Sequence, residues 1–287
     1  MEGNWIYEHT GLSIRANIAL ARGDYALAEA YKRQGFEPMV TIDPNYPAIP
    51  FFLADLANIA RLQGNFAQAH SYLQQAVLAF QRLGRGQPAA LRHFRRHAVL
   101  VAAGYLAETE GDLAAAQQAF AEIWQYDQAQ SHFSAAALIG LGWAALKQAN
   151  WATARRHFAA VLPLIIRLET APQALEALTG IAHLQAQAGQ LEEALALIGL
   201  VQRHPSSYQE SKDRVIGLEA ALRMKLSPAR VQAGLAQGQA AELWATVAAL
   251  RSWLDSEPQL TQPAPEVRIE VDKAGVAQQA SKIMGTD

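Results

Sequence analysis

The chain has 287 residues, of which 51% are hydrophobic and 17% charged, so it can form a sizeable core and is not a disordered polyelectrolyte. Its 24 basic and 26 acidic side chains give a formal net charge of −2, which excludes a global basic field for nucleic acid. The absence of cysteine excludes disulfides, thiol nucleophiles and thiolate metal sites.

The N-terminal residues include acidic side chains and lack a long apolar stretch, and no run of 18 uncharged apolar residues occurs in the chain. The sequence therefore predicts neither a signal peptide nor a membrane-spanning helix. We expect a cytoplasmic protein without a membrane partner.

One motif recurs five times: a helix, a small residue, then Asp, Asn or Gln, an aromatic residue or Leu, two further residues and Ala. The small residues are 41, 47, 38 and 40 positions apart, at Gly23, Gly64, Gly111, Ala149 and Gly189. Glycine here adopts the left-handed conformation that ends a helix, and Asp or Asn after it caps the next one. Apolar residues on both sides recur at helical spacing, so each copy predicts a helix pair that buries its faces by stacking on its neighbours.

The five copies resemble tetratricopeptide repeats (TPR) over about residues 10–205. The resemblance implies an all-α fold: a right-handed solenoid of helical hairpins followed by capping helices. We predict five TPR-like repeats over 1–206, C-terminal capping helices over 207–255 and a mobile tail over 256–287. The first repeat departs from the family at Lys32, where an apolar residue is expected. We expect its second helix to break at 35–38 and residues 43–50 to form a non-helical linker.

The C-terminal third contains further helices. We predict a helix over 207–226 capped by Ser206 or Ser207, a short helix starting at Ser227, and an amphipathic helix over 239–255. This last helix contains Trp244 and Trp253 and is expected to cap the last repeat, with one tryptophan exposed as the alternative. A short strand at 267–271 is also predicted.

The turn at His204-Pro205 and the helices after it are similar to the end of the TPR arrays in bacterial STAND-type signalling ATPases, including LuxR-like regulators. The similarity implies a regulatory, partner-binding role and no chemistry in this segment. No P-loop or nucleophile-elbow motif occurs, so we expect neither an enzyme nor a cofactor.

Basic and histidine side chains are concentrated in two segments, over 82–97 and over 155–157. His93 and His97 are spaced to face one metal ion from a helix, but neighbouring arginines disfavour a cation, and a solvated basic face is the preferred interpretation. A basic patch that includes those arginines is alternatively a contact for an anion or an acidic peptide; its members are Arg82, Arg85, Arg92, Arg95 and Arg96. A smaller basic cluster at 155–157 is expected to be solvated.

The resemblance implies that the first helix of each repeat lines a concave groove. Transferring the motif register predicts the lining residues Asn17, Asn58, Arg61, Tyr105, Glu108, Trp143, Lys147, Thr179 and His183. The preferred function is a non-enzymatic protein–protein interaction module, an adaptor or sensor arm in bacterial signalling or regulation that binds a peptide or protein there. The alternatives are a nucleic-acid-associated transcriptional regulator using the basic patch, and a structural homo-oligomer. A simpler interpretation is that Tyr105 and Trp143 only pack against neighbouring helices.

Overall fold

The structure is a computed structural model that describes residues 4–83, 89–127 and 131–255. All regular elements among these residues are α-helices, thirteen in number, which confirms the all-α prediction. Backbone contacts divide the chain into two compact units, with the boundary in sequence between Ile123 and Trp124. The predicted tail over 256–287, with its strand, lies outside the described residues.

Unit 1 contains three helix pairs, each joined at one copy of the motif. The helices are α1 Asn4–Ala21, α2 Tyr25–Ile42, α3 Ile49–Leu62, α4 Phe66–Arg82, α5 Ala89–Glu110 and α6 Leu113–Asp127, of which the last residues of α6 belong to unit 2. α1 packs on α2, α2 on α3 and α3 on α4, while α5 lies against both α3 and α4.

Unit 2 contains the last two motif copies and the C-terminal helices. Its helices are α7 His132–Lys147, α8 Trp151–Leu168, α9 Ala171–Gln187, α10 Leu191–Arg203, α11 Gln209–Lys225, α12 Pro228–Ala240 and α13 Leu243–Asp255. α9 packs against α7, α8, α10 and α11, and α12 packs along α10. α13 folds back onto α8 and α9, so it contacts the fourth predicted repeat as well as the last one. The predicted division at residue 206 falls inside this unit.

The five motif copies form closely similar junctions. At the small position φ is positive every time: 79°, 75°, 83°, 54° and 81° at Gly23, Gly64, Gly111, Ala149 and Gly189. In four copies the next side chain accepts a hydrogen bond of 3.0–3.2 Å from a backbone N–H three residues later; these caps are Asp24, Asn65, Asp112 and Asn150. The motif alanines are all fully buried: Ala28, Ala69, Ala116, Ala154 and Ala194. The predicted helix ends, the four Asp and Asn caps and the close helix contacts are therefore confirmed.

Phenylalanines of the second helices pack directly on glycines of the first helices. A Cβ added to Gly104 of α5 would lie 2.6 Å from Phe120 Cζ on α6. Phe158 of α8 lies between Gly142 of α7 and Gly180 of α9, where an added Cβ would come within 2.6 and 2.1 Å of Cζ. Both phenylalanines are fully buried. Phe158 therefore joins one helix pair to the first helix of the next pair within unit 2.

The predicted break in the first repeat is wrong, because α2 continues through 35–38 to Ile42. The proline in this segment removes one backbone donor from the helix. The helical turn beyond it buries Met39, which is 1% exposed. The linker is also shorter than predicted, since α3 begins at Ile49 with Pro50 in its first turn.

Two boundaries of the C-terminal helices also differ from the prediction. α11 begins after Tyr208, and Ser207 is buried and does not cap it. The helix expected from 239 begins at Leu243, because the Glu242 carboxylate accepts backbone N–H bonds from its first turn. These bonds lower the pKa of Glu242. Ser227 caps α12 as predicted.

None of the helices in the described part of the chain combines the length and apolarity that crossing a bilayer requires.

Candidate functional site

In unit 1, most of the predicted groove residues lie in an internal polar cluster between α3 and α5. Arg61, Tyr105 and Glu108 are only 6%, 9% and 2% exposed. Asn58 Oδ1 accepts hydrogen bonds from Arg61 Nε and Nη2 at 3.0 and 2.8 Å, and the Arg61 guanidinium carbon lies 5.5 Å from the centroid of the Tyr105 ring. Asn17, on α1, is exposed. The structure therefore brings Asn58, Arg61 and Tyr105 together, but as a packed contact.

In unit 2, two predicted groove residues meet a third residue that the sequence analysis did not select. The rings of Trp143 on α7 and His183 on α9 have centroids 5.4 Å apart and an interplanar angle of 75°. The guanidinium carbon of Arg214 on α11 lies 4.7 Å from the centroid of the Trp143 ring, and Arg214 Nη2 is 3.1 Å from Glu210 Oε1. We call Trp143, His183, Arg214 and Glu210 the α7–α9–α11 cluster.

Burial determines the electrostatics of this cluster. Trp143 is 6% exposed, and its Nε1 is buried without a hydrogen-bond partner among the described residues. An indole N–H can only donate, and a buried donor without an acceptor costs about 1–3 kcal/mol. Burial, with a smaller contribution from the charge of Arg214, lowers the pKa of His183, so its ring is neutral at pH 7.

We use the word rim for two exposed residues that are close in sequence to the cluster: Lys147, four residues after Trp143 on α7, and Tyr208, two residues before Glu210. Lys147 ends α7 and is exposed, and Tyr208, just before α11, is 37% exposed. Partial burial and the nearby Glu176 carboxylate raise the pKa of Tyr208. Thr179, also predicted to line the groove, is fully buried, and its hydroxyl donates a 2.6 Å hydrogen bond to the Glu176 carbonyl oxygen. In this unit Trp143 is buried against His183 and Arg214 instead of projecting into open space.

The structure divides the predicted basic patch. Arg82 at the end of α4 is exposed, whereas Arg95 is buried and Arg96 Nη2 lies 2.5 Å from Glu122 Oε1. Arg85 and the side chain of Arg92 lie outside what the structure describes. The three described arginines therefore do not form one solvated basic face.

His93 and His97 lie on one side of α5, with ring centroids 6.3 Å apart. His97 is 4% exposed, so the expectation of a fully solvated face is wrong at this position. Within the described ranges, no three His, Asp or Glu side chains come together to hold a metal ion. The pair alone provides two of the three or four protein ligands that a metal site usually has.

The expectation that the cluster at 155–157 is solvated is wrong for Arg155, which attaches α13 to α8. Its guanidinium carbon lies 4.3 Å from the centroid of the Trp253 ring. Its Nε donates to the Leu254 carbonyl oxygen at 2.9 Å, and Nη2 donates to the Trp253 carbonyl oxygen. A cation at the last carbonyls of a helix is stabilising. Trp244 and Trp253 are both half-buried against the core of unit 2.

No protein-family model matches the chain, and no curated protein matches it significantly.

Proposed function

We propose that this chain is a non-enzymatic, TPR-like interaction module that binds a peptide or protein partner on the face formed by α7, α9 and α11. The five similar junctions support TPR-like hairpins, because each combines a left-handed residue with a buried alanine, and four add an Asp or Asn cap. A right-handed solenoid and a cytoplasmic adaptor or sensor role in bacterial signalling are what the resemblance to STAND-type arrays implies. This step from fold to function is an analogy between families.

The α7–α9–α11 cluster is the observation that carries the proposal. Three helices each contribute a side chain to it, and the indole N–H of Trp143 has no acceptor among the described residues. A partner segment that displaces Arg214 from the ring would bring a backbone carbonyl to this donor. Trp and Arg are the residues that most often dominate binding energy at protein interfaces.

The rim adds contacts suited to a polypeptide. Lys147 offers a cation and Tyr208 an aromatic ring with a hydroxyl, and both are exposed and close in sequence to cluster residues. Tyrosine provides a large contact area with few rotatable bonds, so it loses little conformational entropy when it binds. Glu176, half-buried next to Tyr208, can accept an N–H from a bound backbone.

The test uses the full chain as bait in extracts of its native cell, with variants at the rim. The variants avoid the predicted groove residues Trp143 and Arg61, which are both 6% exposed. Truncating a buried side chain destabilises the fold, so a loss of binding could not be separated from a loss of folding. We expect Lys147→Glu combined with Tyr208→Ala to reduce capture of a specific partner at least about tenfold, which corresponds to about 1.4 kcal/mol. The matched control is Arg156→Glu, which changes an exposed cation on α8 and should leave capture unchanged. Equal capture by the rim variant and wild type would contradict the proposal.

The two alternative functions stay predictions. Nucleic-acid binding through the basic patch requires a solvated cationic track, and Arg95 and Arg96 are buried or paired. A homo-oligomer held by the end helices requires exposed apolar anchors, and Trp244 and Trp253 pack instead on the core of unit 2.

A further inference from the structure

Arg95 occupies a position on α5 where helical periodicity calls for an apolar side chain. Ala98, Val99 and Ala102 follow it at spacings of three, four and seven residues, and all three are buried. This stripe belongs to a helix that packs against α3 and α4. Arg95 therefore lies on the buried face of α5 together with these residues, and it is 9% exposed.

Three other buried or half-buried cations in the described part of the chain have side-chain partners. The Lys32 ammonium, on a side chain that is 3% exposed, lies 2.5 Å from Asp55 Oδ2. Arg61 donates to Asn58, and Arg214 pairs with Glu210. Arg95 has no ion-pair or hydrogen-bond partner among the described residues, and its Nη1 is buried.

No described acidic group opposes the charge on Arg95. Burial lowers the pKa of Arg95, and no carboxylate in the described ranges counteracts this effect. A lysine or histidine in such a place can become neutral by losing a proton, but a guanidinium stays charged throughout the accessible pH range. An unpaired buried charge is strongly destabilising, and the compensating charge is not provided by the described chain.

We propose that Arg95 anchors a binding site for one carboxylate group that comes from a ligand or partner. A guanidinium donates two parallel N–H bonds to a carboxylate, which matches it in shape. A monoanion neutralises the single charge of Arg95, whereas a phosphate dianion would leave excess negative charge in a buried site. The neighbouring Arg96 is already paired with Glu122 and does not supply a second cation. The site lies in unit 1 and does not depend on the α7–α9–α11 face.

The test compares urea unfolding of the full chain in sodium chloride and in sodium acetate at equal ionic strength. Acetate at ten times its dissociation constant should lower the unfolding equilibrium constant of the wild type about tenfold. Arg95→Met should remove this response, and in chloride it should unfold less readily than the wild type because the unpaired charge is gone. Arg96→Met is the control: it breaks the pair with Glu122 but should keep the acetate response.

The proposal is overturned if Arg95→Met is less stable than wild type in chloride, or if acetate stabilises both proteins equally. Should Arg95→Met fail to fold, the NMR resonances of the Arg95 guanidinium in the wild type must shift saturably with acetate, and a lack of shift overturns the proposal. Inorganic phosphate that stabilises more than acetate would overturn the preference for a monoanion. A protein partner can offer the carboxylate of an acidic side chain or that of its C-terminus. The same unfolding measurement with two tripeptides, a fully capped one that contains glutamate and one with a free C-terminus, distinguishes these two sources.

Discussion

The contact between α10 and α12 depends on glycines that let two helix backbones touch. A Cβ added to Gly238 of α12 would lie 1.8 Å from the carbonyl oxygen of Ala196 on α10, and one added to Gly199 would lie 2.3 Å from the Leu235 carbonyl oxygen. Gly238→Ala therefore forces the two helices apart by more than about 1 Å, because a close-packed interior has no empty volume for the added methyl group. Such overpacking costs about 3 kcal/mol. The better helix propensity of alanine returns about 1 kcal/mol, so we expect a net loss of about 2 kcal/mol.

The matched control is Gly217→Ala on α11, where an added Cβ meets no atom within 4 Å. This change should stabilise the protein by about 0.5–1 kcal/mol, so the two substitutions should differ by about 3 kcal/mol. Urea unfolding followed by circular dichroism measures both free energies of unfolding, and an unchanged m-value confirms that the same surface is exposed. If Gly238→Ala is as stable as Gly217→Ala, the two backbones do not touch and the described packing is incorrect.

Four further substitutions test other parts of the structure by the same unfolding measurement. Ala149 has φ +54°, so Ala149→Gly should stabilise the protein by about 1 kcal/mol. Gly64 has φ +75°, so Gly64→Ala should destabilise it by about 1 kcal/mol. If the two variants are equally stable, the two helix junctions do not share the left-handed conformation. Asp55→Asn leaves Lys32 buried without its counter-charge and should cost about 2 kcal/mol, and a neutral result would refute the pair. The pKa of His183 is lower in the folded protein than its ordinary value of 6.5, because burial favours the neutral ring. The contribution of this residue to the free energy of unfolding is therefore complete above pH 6.5 and is lost as the pH falls through the lowered pKa of the folded state. His183→Gln should therefore reduce the loss of unfolding free energy below pH 6.5, by at most about 1.4 kcal/mol per pH unit. If the stability of the variant depends on pH in the same way as that of the wild type, this prediction is wrong.

The helix junctions could be predicted because the interactions that form them are local. A left-handed residue, a side-chain cap three residues before its donor and a buried alanine all lie within one short segment, as at Asn65 and Ala69. Glu242, which caps α13, was missed even though its signal was present: an acidic residue directly before an apolar periodic run.

Interactions between distant segments could not be predicted in the same way. Pro38 suggests a helix break, but burying Met39 favours continuing α2, and only the tertiary structure shows that burial. Arg214 lies over Trp143 although α11 contains no copy of the motif that would set its register. Arg155 binds the carbonyl of Leu254, 99 residues away. Periodicity alone does not identify such partners.

The exposure of the predicted groove residues also could not be predicted from the sequence. Motif register assigned Tyr105, Trp143 and Thr179 to a partner surface, and the structure buries all three. The register depends on backbone position, whereas exposure depends on which side chains from other helices cover a residue. Arg95 could have been recognised from the sequence, because it interrupts an otherwise apolar stripe on α5.

Photo-crosslinking in the native cell tests most directly whether a partner docks on the α7–α9–α11 face. A photoreactive amino acid replaces exposed Lys147 at the end of α7 or, in a matched protein, exposed Ala160 on α8. We predict that position 147 forms a covalent adduct with one specific protein and position 160 does not, and that Tyr208→Ala reduces the adduct. An adduct formed equally from both positions, or only from position 160, would contradict it.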